Sequence, residues 1–141
     1  MTRIHTLLVT LALALLAQPT NAEGTRLLRH PSIDEHHIVL AYANDIWVVD
    51  RDGGDARRLT AFAGSESEPH LSPDGTQVAF TGEYDGNVDI YVVPLAGGEP
   101  RRLTWHPGAD LVRGWTPYGN EVVFMSGRTG APIPVGRFWT V

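Results

Sequence analysis

The stretch from Ser72 to Thr104 reads SPDGTQVAFTGEYDGNVDIYVVPLAGGEPRRLT. Two short apolar runs, VAF and IYVV, lie between turn signals. Pro73 presets the φ of a turn, Asp74 can bond its own downstream backbone, and Gly75 accepts the positive φ that closes a hairpin. The same pattern recurs at an offset of 44 residues. DIWVVDRDGGDARRLT (Asp45 to Thr60) aligns without gaps on DIYVVPLAGGEPRRLT (Asp89 to Thr104), and SPDGTQVAF (Ser72 to Phe80) aligns on TPYGNEVVF (Thr116 to Phe124). Further copies of the apolar runs are IVLAY (Ile38 to Tyr42) and FWTV (Phe138 to Val141), and the first copy of the turn is degenerate, SIDE (Ser32 to Glu35).

A finer period lies inside the longer one. Glycine occupies positions 53, 64, 75, 86, 97, 108, 119 and 130, one every eleven residues. An eleven-residue step can mark a right-handed helical coil. Here the intervening segments are rich in Val, Ile, Phe, Tyr, Trp and Thr and carry Pro-Asp-Gly and Gly-Gly turns, so they read as strands. A sheet with one wet face would alternate apolar and polar residues, whereas QVAFT and DIYVVP are apolar at consecutive positions, so both faces must be covered. Connections this short leave no room for crossover helices. Antiparallel four-stranded sheets stacked face to face, as in the blades of a β-propeller, satisfy both conditions. The expected fold is all-β, an incomplete propeller of about two and a half to three blades: blade 1 over about 27–60, blade 2 over about 67–104 and an incomplete blade 3 over about 111–141.

The amino terminus has a different character. MTRIHTLLVTLALALLAQPTNA has one early positive charge at Arg3, an apolar stretch from Leu7 to Ala17 and small residues before Glu23. That is the pattern of a secretory signal peptide over 1–22, cleaved after Ala22 and too short in its apolar part to remain as a membrane span. The expected location is the periplasm. Without Arg3, the 119 residues from Glu23 onward carry 10 Arg, no Lys and 16 Asp and Glu, a formal charge of −6. This balance argues against nucleic acid and anionic membrane surfaces as partners. The absence of cysteine excludes disulfides and thiolate zinc sites, so packing alone must stabilise an exported chain.

Candidate chemistry is sparse. Asp85, Asn87 and Asp89 match the first three positions of a calcium loop, but Ile90 stands where that loop needs glycine and Ala96 where it needs a bidentate Glu. The six histidines include the neighbours His36 and His37, which point to opposite faces if they share a strand. His70 and His106 flank Pro69 and Pro107 and are expected to meet on one rim. No Gly-x-Ser-x-Gly elbow is present, and Ser65, Ser67, Ser72 and Ser126 lack a histidine in an activating pattern. Arg-Arg-Leu-Thr, at 57–60 and 101–104, is expected to form the outermost strand of each unit, its charges discouraging edge-to-edge pairing; clamping of a peptide carboxylate is the alternative. Trp47, Trp105, Trp115 and Trp139 are expected to pack between blades. No catalytic, cofactor-binding or metal-binding residue is assigned, and no cofactor is expected.

The repeat resembles the Asp-containing propeller repeat of TolB and of the amino-terminal propeller of tricorn proteases. The segments FTGEYDGNVDIYVVP (Phe80 to Pro94), RRLTWHPGADLVRGWTPYGNEVVFMSGR (Arg101 to Arg128) and HPSIDEHHIVLAYANDIWVVD (His30 to Asp50) are similar to the tricorn type in particular. This resemblance implies a large multidomain serine peptidase that cleaves short peptides, of which this chain would be the beginning. The family's catalytic residues would lie in domains outside the chain, so none is transferred. Implied partners are peptides or proteins handled by the propeller and the remaining domains of the parent peptidase. The alternative is a non-catalytic, TolB-like periplasmic module that binds proteins. Blades bury their faces on neighbours, so the isolated chain is expected to be marginal, prone to aggregation or a homo-oligomer.

Overall fold

The computed structural model describes residues 27–128 and 136–141. The signal-peptide expectation over 1–22 and the glycine at 130 lie outside these residues. Eleven strands and no helix occur among the described residues. β1 (Arg29–Ile33), β2 (His37–Tyr42), β3 (Asp45–Asp50) and β4 (Arg57–Arg58) form one antiparallel sheet in sequential order. β5 (Ser65–Leu71), β6 (Gln77–Tyr84), β7 (Asn87–Pro94) and β8 (Arg101–Arg102) form a second, and β9 (Asp110–Trp115), β10 (Val122–Ser126) and β11 (Arg137–Thr140) a third.

The eleven-residue glycine step is the length of one strand plus one connection. Gly53, Gly75, Gly86, Gly97 and Gly119 all lie between strands. In the Ser72 turn, the Gly75 amide donates to the Ser72 carbonyl at 2.9 Å. Asp74 Oδ1 accepts from Ser72 Oγ at 2.6 Å and from the Thr76 amide at 3.1 Å. These three hydrogen bonds hold the turn. In the shortened first copy Asp34 does the same work, its Oδ1 accepting from the His36 and His37 amides at 2.7 and 2.6 Å. The Asp85–Gly86 hairpin has φ of 53° and 79°, the mirror-image turn that matches strand twist.

Consecutive apolar residues split between two interfaces, as strand alternation requires. Val78, Phe80, Tyr91 and Val93 of the second sheet pack on Val39, Ala41, Ile46 and Val48 of the first. Ala79, Ile90 and Val92 pack on Val112, Val122 and Phe124 of the third. Leu40, Phe80 and Phe124 pair with Trp47, Tyr91 and Trp139 respectively, so the repeat places one aromatic at the same register in every sheet. Trp47 is therefore on the face of the first sheet turned away from the second. Trp115 does bridge sheets, its Nε1 donating to the His70 carbonyl at 2.9 Å. Trp105 does not: it is 69% exposed, lying on the connection after β8 with the Arg102 guanidinium 5.8 Å above its ring. Inter-blade packing is thus overturned for Trp105, because Thr104 rather than its neighbour is the residue turned inward.

Candidate functional site

The outer strands form where Arg-Arg-Leu-Thr predicts them, at Arg57–Arg58 and Arg101–Arg102. Three of these four side chains, however, are committed to the fold. Arg58 Nη2 reaches Asp45 Oδ2 at 2.8 Å and Arg102 Nη2 reaches Asp89 Oδ2 at 2.5 Å, while each Nε donates to the carbonyl of the following Thr60 or Thr104. Arg57 Nη2 crosses to the next sheet and donates to the Leu95 carbonyl at 2.7 Å. Neither pair has both guanidinium groups available to clamp a carboxylate.

The acidic triplet Asp85, Asn87, Asp89 is likewise taken apart. Asp85 sits in the hairpin turn, whereas Asp89 is completely buried in β7. Asn87 Nδ2 donates to Asp89 Oδ2 at 2.7 Å and to the His106 carbonyl at 2.9 Å. His106 is held inside its own loop, with Nδ1 accepting from the Gly108 amide at 3.0 Å. His70 pairs with Ala79, toward the opposite end of the sheet from Asn87. The expected meeting of His70 and His106 is therefore corrected: His70 meets His30 instead. Among the described residues no three His, Asp or Glu side chains converge as a metal-binding group.

A buried carboxyl joins the first two sheets. Glu66 Oε2 accepts from the Ile46 amide at 3.1 Å and from Thr60 Oγ1, and Oε1 accepts from the Tyr84 hydroxyl. Burial pushes the Glu66 carboxyl above its ordinary range, against the pull of these donors, and the charge of Asp45 adds to the rise. The folded state thus keeps a proton that the unfolded chain releases near the ordinary value of 4.5. Stability from this group is present below that value and falls as pH rises through the higher folded value. Urea midpoints at pH 5 and pH 8 test this. Glu66→Gln, which stays neutral, is expected to lose less stability than the parent over that interval, and an equal loss in both proteins contradicts the prediction.

The most unusual geometry lies on the strands that begin each sheet. β1 packs beside β5 and β5 beside β9, so these three line the inner rim. Each breaks register with its partner at the same level: His30–Pro31 in β1, Glu68–Pro69 in β5 and Arg113 in β9 are the bulged residues. His30 and Glu68 have φ of 49° and 51°, a conformation that side-chain-bearing residues adopt at a cost and that clusters at functional sites. Bulges commonly re-aim side chains in this way. Glu68 Oε2 meets Arg113 Nη1 at 2.6 Å and accepts from Thr81 Oγ1 at 3.3 Å. The Glu68 amide approaches His30 Nδ1 at 3.5 Å. His30, Glu68 and Arg113, with Pro31, Pro69, His70 and Val112, line an open cavity of about 310 Å³. Burial lowers the His70 pKa, with Arg113 and His30 pushing the same way and Glu68 opposing them, so the ring is neutral at pH 7. Sequence alignment at 44 residues missed this site because His30 and Glu68 are 38 residues apart. The residue-Pro pairs at 30–31 and 68–69 were the available signal.

Sheets stacked face to face, each beginning on an inner rim and the two four-stranded ones ending in a short outer strand, define a β-propeller, here described over three blades of which the third has three strands. Comparison with known proteins makes the class specific. The sequence profile described as the tricorn protease N-terminal beta propeller domain matches residues 25–141, and the chain belongs to that family. Tricorn protease homolog 1 from Streptomyces coelicolor is 39% identical over 67 residues, which cover 48% of this chain and 6% of that protein. The crystal structure of the tricorn protease superposes with a TM-score of 0.62 at 24% identity, over 70% of this chain and 11% of the other. TolB from Acinetobacter baumannii gives 0.66 at 25% identity, over 80% and 29%, and a TolB-like protein from Agrobacterium tumefaciens 0.68 at 21%, over 82% and 42%. The chain therefore spans less than half the length of each of these relatives.

Proposed function

We propose that this chain is the amino-terminal propeller portion of an exported, tricorn-like serine peptidase, and that the propeller handles peptides as a gate or scaffold while contributing no bond-breaking residue. The family match across 25–141 carries this reading, and the strained, polar inner rim supplies a surface on which a peptide could be handled. The polypeptide that contains these blades and everything encoded after Val141 is expected to cleave short peptides and to be inactivated by a serine-directed fluorophosphonate. The 141-residue chain alone is expected to show no turnover above buffer. A continuation that encodes only further blades, or turnover by the short chain, overturns the reading. Export predicts a mature amino terminus at Glu23, read by terminal sequencing of the periplasmic fraction.

A second reading, a non-catalytic protein-binding module of TolB type, is favoured by one observation: the two TolB-type structures superpose on a larger share of this chain than the tricorn protease does. The same continuation experiment separates the two.

A further inference from the structure

The pair Asp-Gly occurs three times, at 52–53, 74–75 and 85–86. In such a pair the glycine amide nitrogen, which no Cβ shields, is placed to attack the side-chain carbonyl carbon of the aspartate before it. The fold decides whether it does so, because the attack needs a carboxyl free of hydrogen bonds and an amide that donates to nothing. At Asp74 both are withheld. Its carboxyl accepts from Ser72 Oγ at 2.6 Å and from the Thr76 amide and hydroxyl at 3.1 and 2.9 Å, and the Gly75 amide donates to the Ser72 carbonyl at 2.9 Å. The Ser72 hydroxyl and then the Thr76 donors hold that carboxyl below its ordinary range, away from the protonated form whose hydroxyl can leave. At Asp52 the carboxyl has no partner among the described residues, but the Gly53 amide donates to the Asp50 carbonyl at 3.0 Å. At Asp85 neither group is engaged: the carboxyl has no hydrogen bond or ion pair among the described residues, and the Gly86 amide has no acceptor. Both residues are exposed, and a Cβ at Gly86 would meet nothing within 4 Å, so the approach to its nitrogen is open.

We propose that Asp85 is a modification site, where the hairpin between β6 and β7 isomerises to isoaspartate through a cyclic imide with Gly86. The Gly86 nitrogen bonds Asp85 Cγ, and the carboxyl hydroxyl leaves with the amide proton as water. Water then re-enters at one of the two imide carbonyl carbons. Cleavage between the Gly86 nitrogen and Asp85 Cγ restores aspartate. Cleavage between that nitrogen and the Asp85 main-chain carbonyl carbon leaves the chain running through Cβ and Cγ, with the α-carboxylate set free. One water leaves and one enters, and no oxidant or reductant takes part. The product adds a main-chain atom to a turn whose φ values of 53° and 79° suit an ordinary two-residue hairpin. The Tyr84–Asn87 pair that closes the turn is then lost, and with it the placement of Asn87, whose side chain ties Asp89 to the His106 carbonyl. The inference goes beyond the peptidase reading and does not depend on it.

The test is incubation of the longest natural polypeptide carrying these blades at neutral pH in heavy-oxygen water, once folded and once unfolded in urea. Proteolytic fragments are read by electron-transfer mass spectrometry, which separates α-linked from β-linked aspartate. In the folded protein, isoaspartate is expected to form at Asp85 faster than at Asp52, and about tenfold or more faster than at Asp74, because breaking one hydrogen bond to a charged carboxylate raises a barrier by at least that factor. In urea the three pairs lose their different surroundings and are expected to convert at similar rates. The isoaspartate is expected to carry one heavy oxygen, taken up when the imide opens. Conversion at Asp52 or Asp74 as fast as at Asp85 in the folded protein overturns the proposal, as does the same ranking in urea. So does a folded protein that leaves Asp85 unconverted while the unfolded chain reacts, or a product without heavy oxygen.

Discussion

Replacing Arg102 with methionine should cost about 3–5 kcal/mol, whereas the same change at Arg58, its counterpart 44 residues earlier, should cost about 1 kcal/mol or less. The two arginines are identical in sequence context and in partner. They differ in what would be left behind. Asp89 has no exposed side-chain surface, and Arg102 is the cation that compensates it at 2.5 Å. Without the guanidinium, Thr104 Oγ1 at 3.1 Å and Asn87 Nδ2 at 2.7 Å remain as neutral donors to a charge that cannot reach water. Burying an uncompensated carboxylate is the costly half of breaking an ion pair. Asp45 retains some exposure, and Arg58 is nearly half exposed, so water takes over much of the lost interaction. Urea denaturation of the two variants, in the longest natural polypeptide that carries these blades, measures the difference. Equal losses would show that the pairs act through strand geometry rather than through charge burial. Asp89→Asn combined with Arg102→Met should recover part of the loss, because the pair is then removed as a unit.

The contrast between these pairs marks where sequence reading stops. Offset, turn chemistry and two-sided apolar runs were legible because they are local: Asp74 and Gly75 make their turn with residues no more than a few positions away, and alternation puts Phe80 and Ala79 on opposite faces. The pairing of Arg102 with Asp89 was hidden by its distance along the chain, although both residues recur in each complete unit. Recurrence of an acid at the start of the third strand and a base in the fourth was in fact the signal that could have found it. The inner rim was harder. The hairpins of the first sheet are shorter than those of the second, Leu40 opposing Trp47 where Phe80 opposes Tyr91 and three residues separating β1 from β2 where five separate β5 from β6, so the offset shrinks toward the inner strand. His30 and Glu68 hold equivalent places in space but not at the 44-residue offset. His70 was matched with His106 through the prolines that precede and follow them, whereas strand direction carries the two to opposite ends of the sheet. Trp105 was assigned to packing by its residue type, and the inward place at that point of the chain belongs to Thr104, whose Oγ1 accepts from the Ile90 amide at 3.0 Å.

Phe80→Ala is expected to have an effect of similar size but a different distribution. Its side chain is fully buried at the junction of the first and second blades. The ring stacks on Tyr91 with centroids 5.8 Å apart, and Tyr91 in turn meets Tyr84 edge-on at 4.6 Å. Gly82 maintains that arrangement, since a Cβ there would lie 2.8 Å from the Tyr91 ring. Removal of the Phe80 ring leaves a void that strands hydrogen-bonded on both sides cannot close, so the loss should be about 3–5 kcal/mol. Phe124 holds the same register one blade later but has the Arg128 guanidinium 4.8 Å from its ring and a partly exposed Trp139 as its cross-strand partner. Those neighbours can move into the space, so Phe124→Ala should cost less. Because blades are held mainly by their neighbours, the damage from Phe80→Ala should stay at one junction. In hydrogen exchange, the amides of Val39, Ile46, Val78 and Val93 should lose protection by the full change in stability, while those of Val112 and Val122 keep more of theirs. Uniform loss across all three blades would mean that they unfold as one unit, and that face-to-face packing transmits cooperativity further than nearest-neighbour stacking allows.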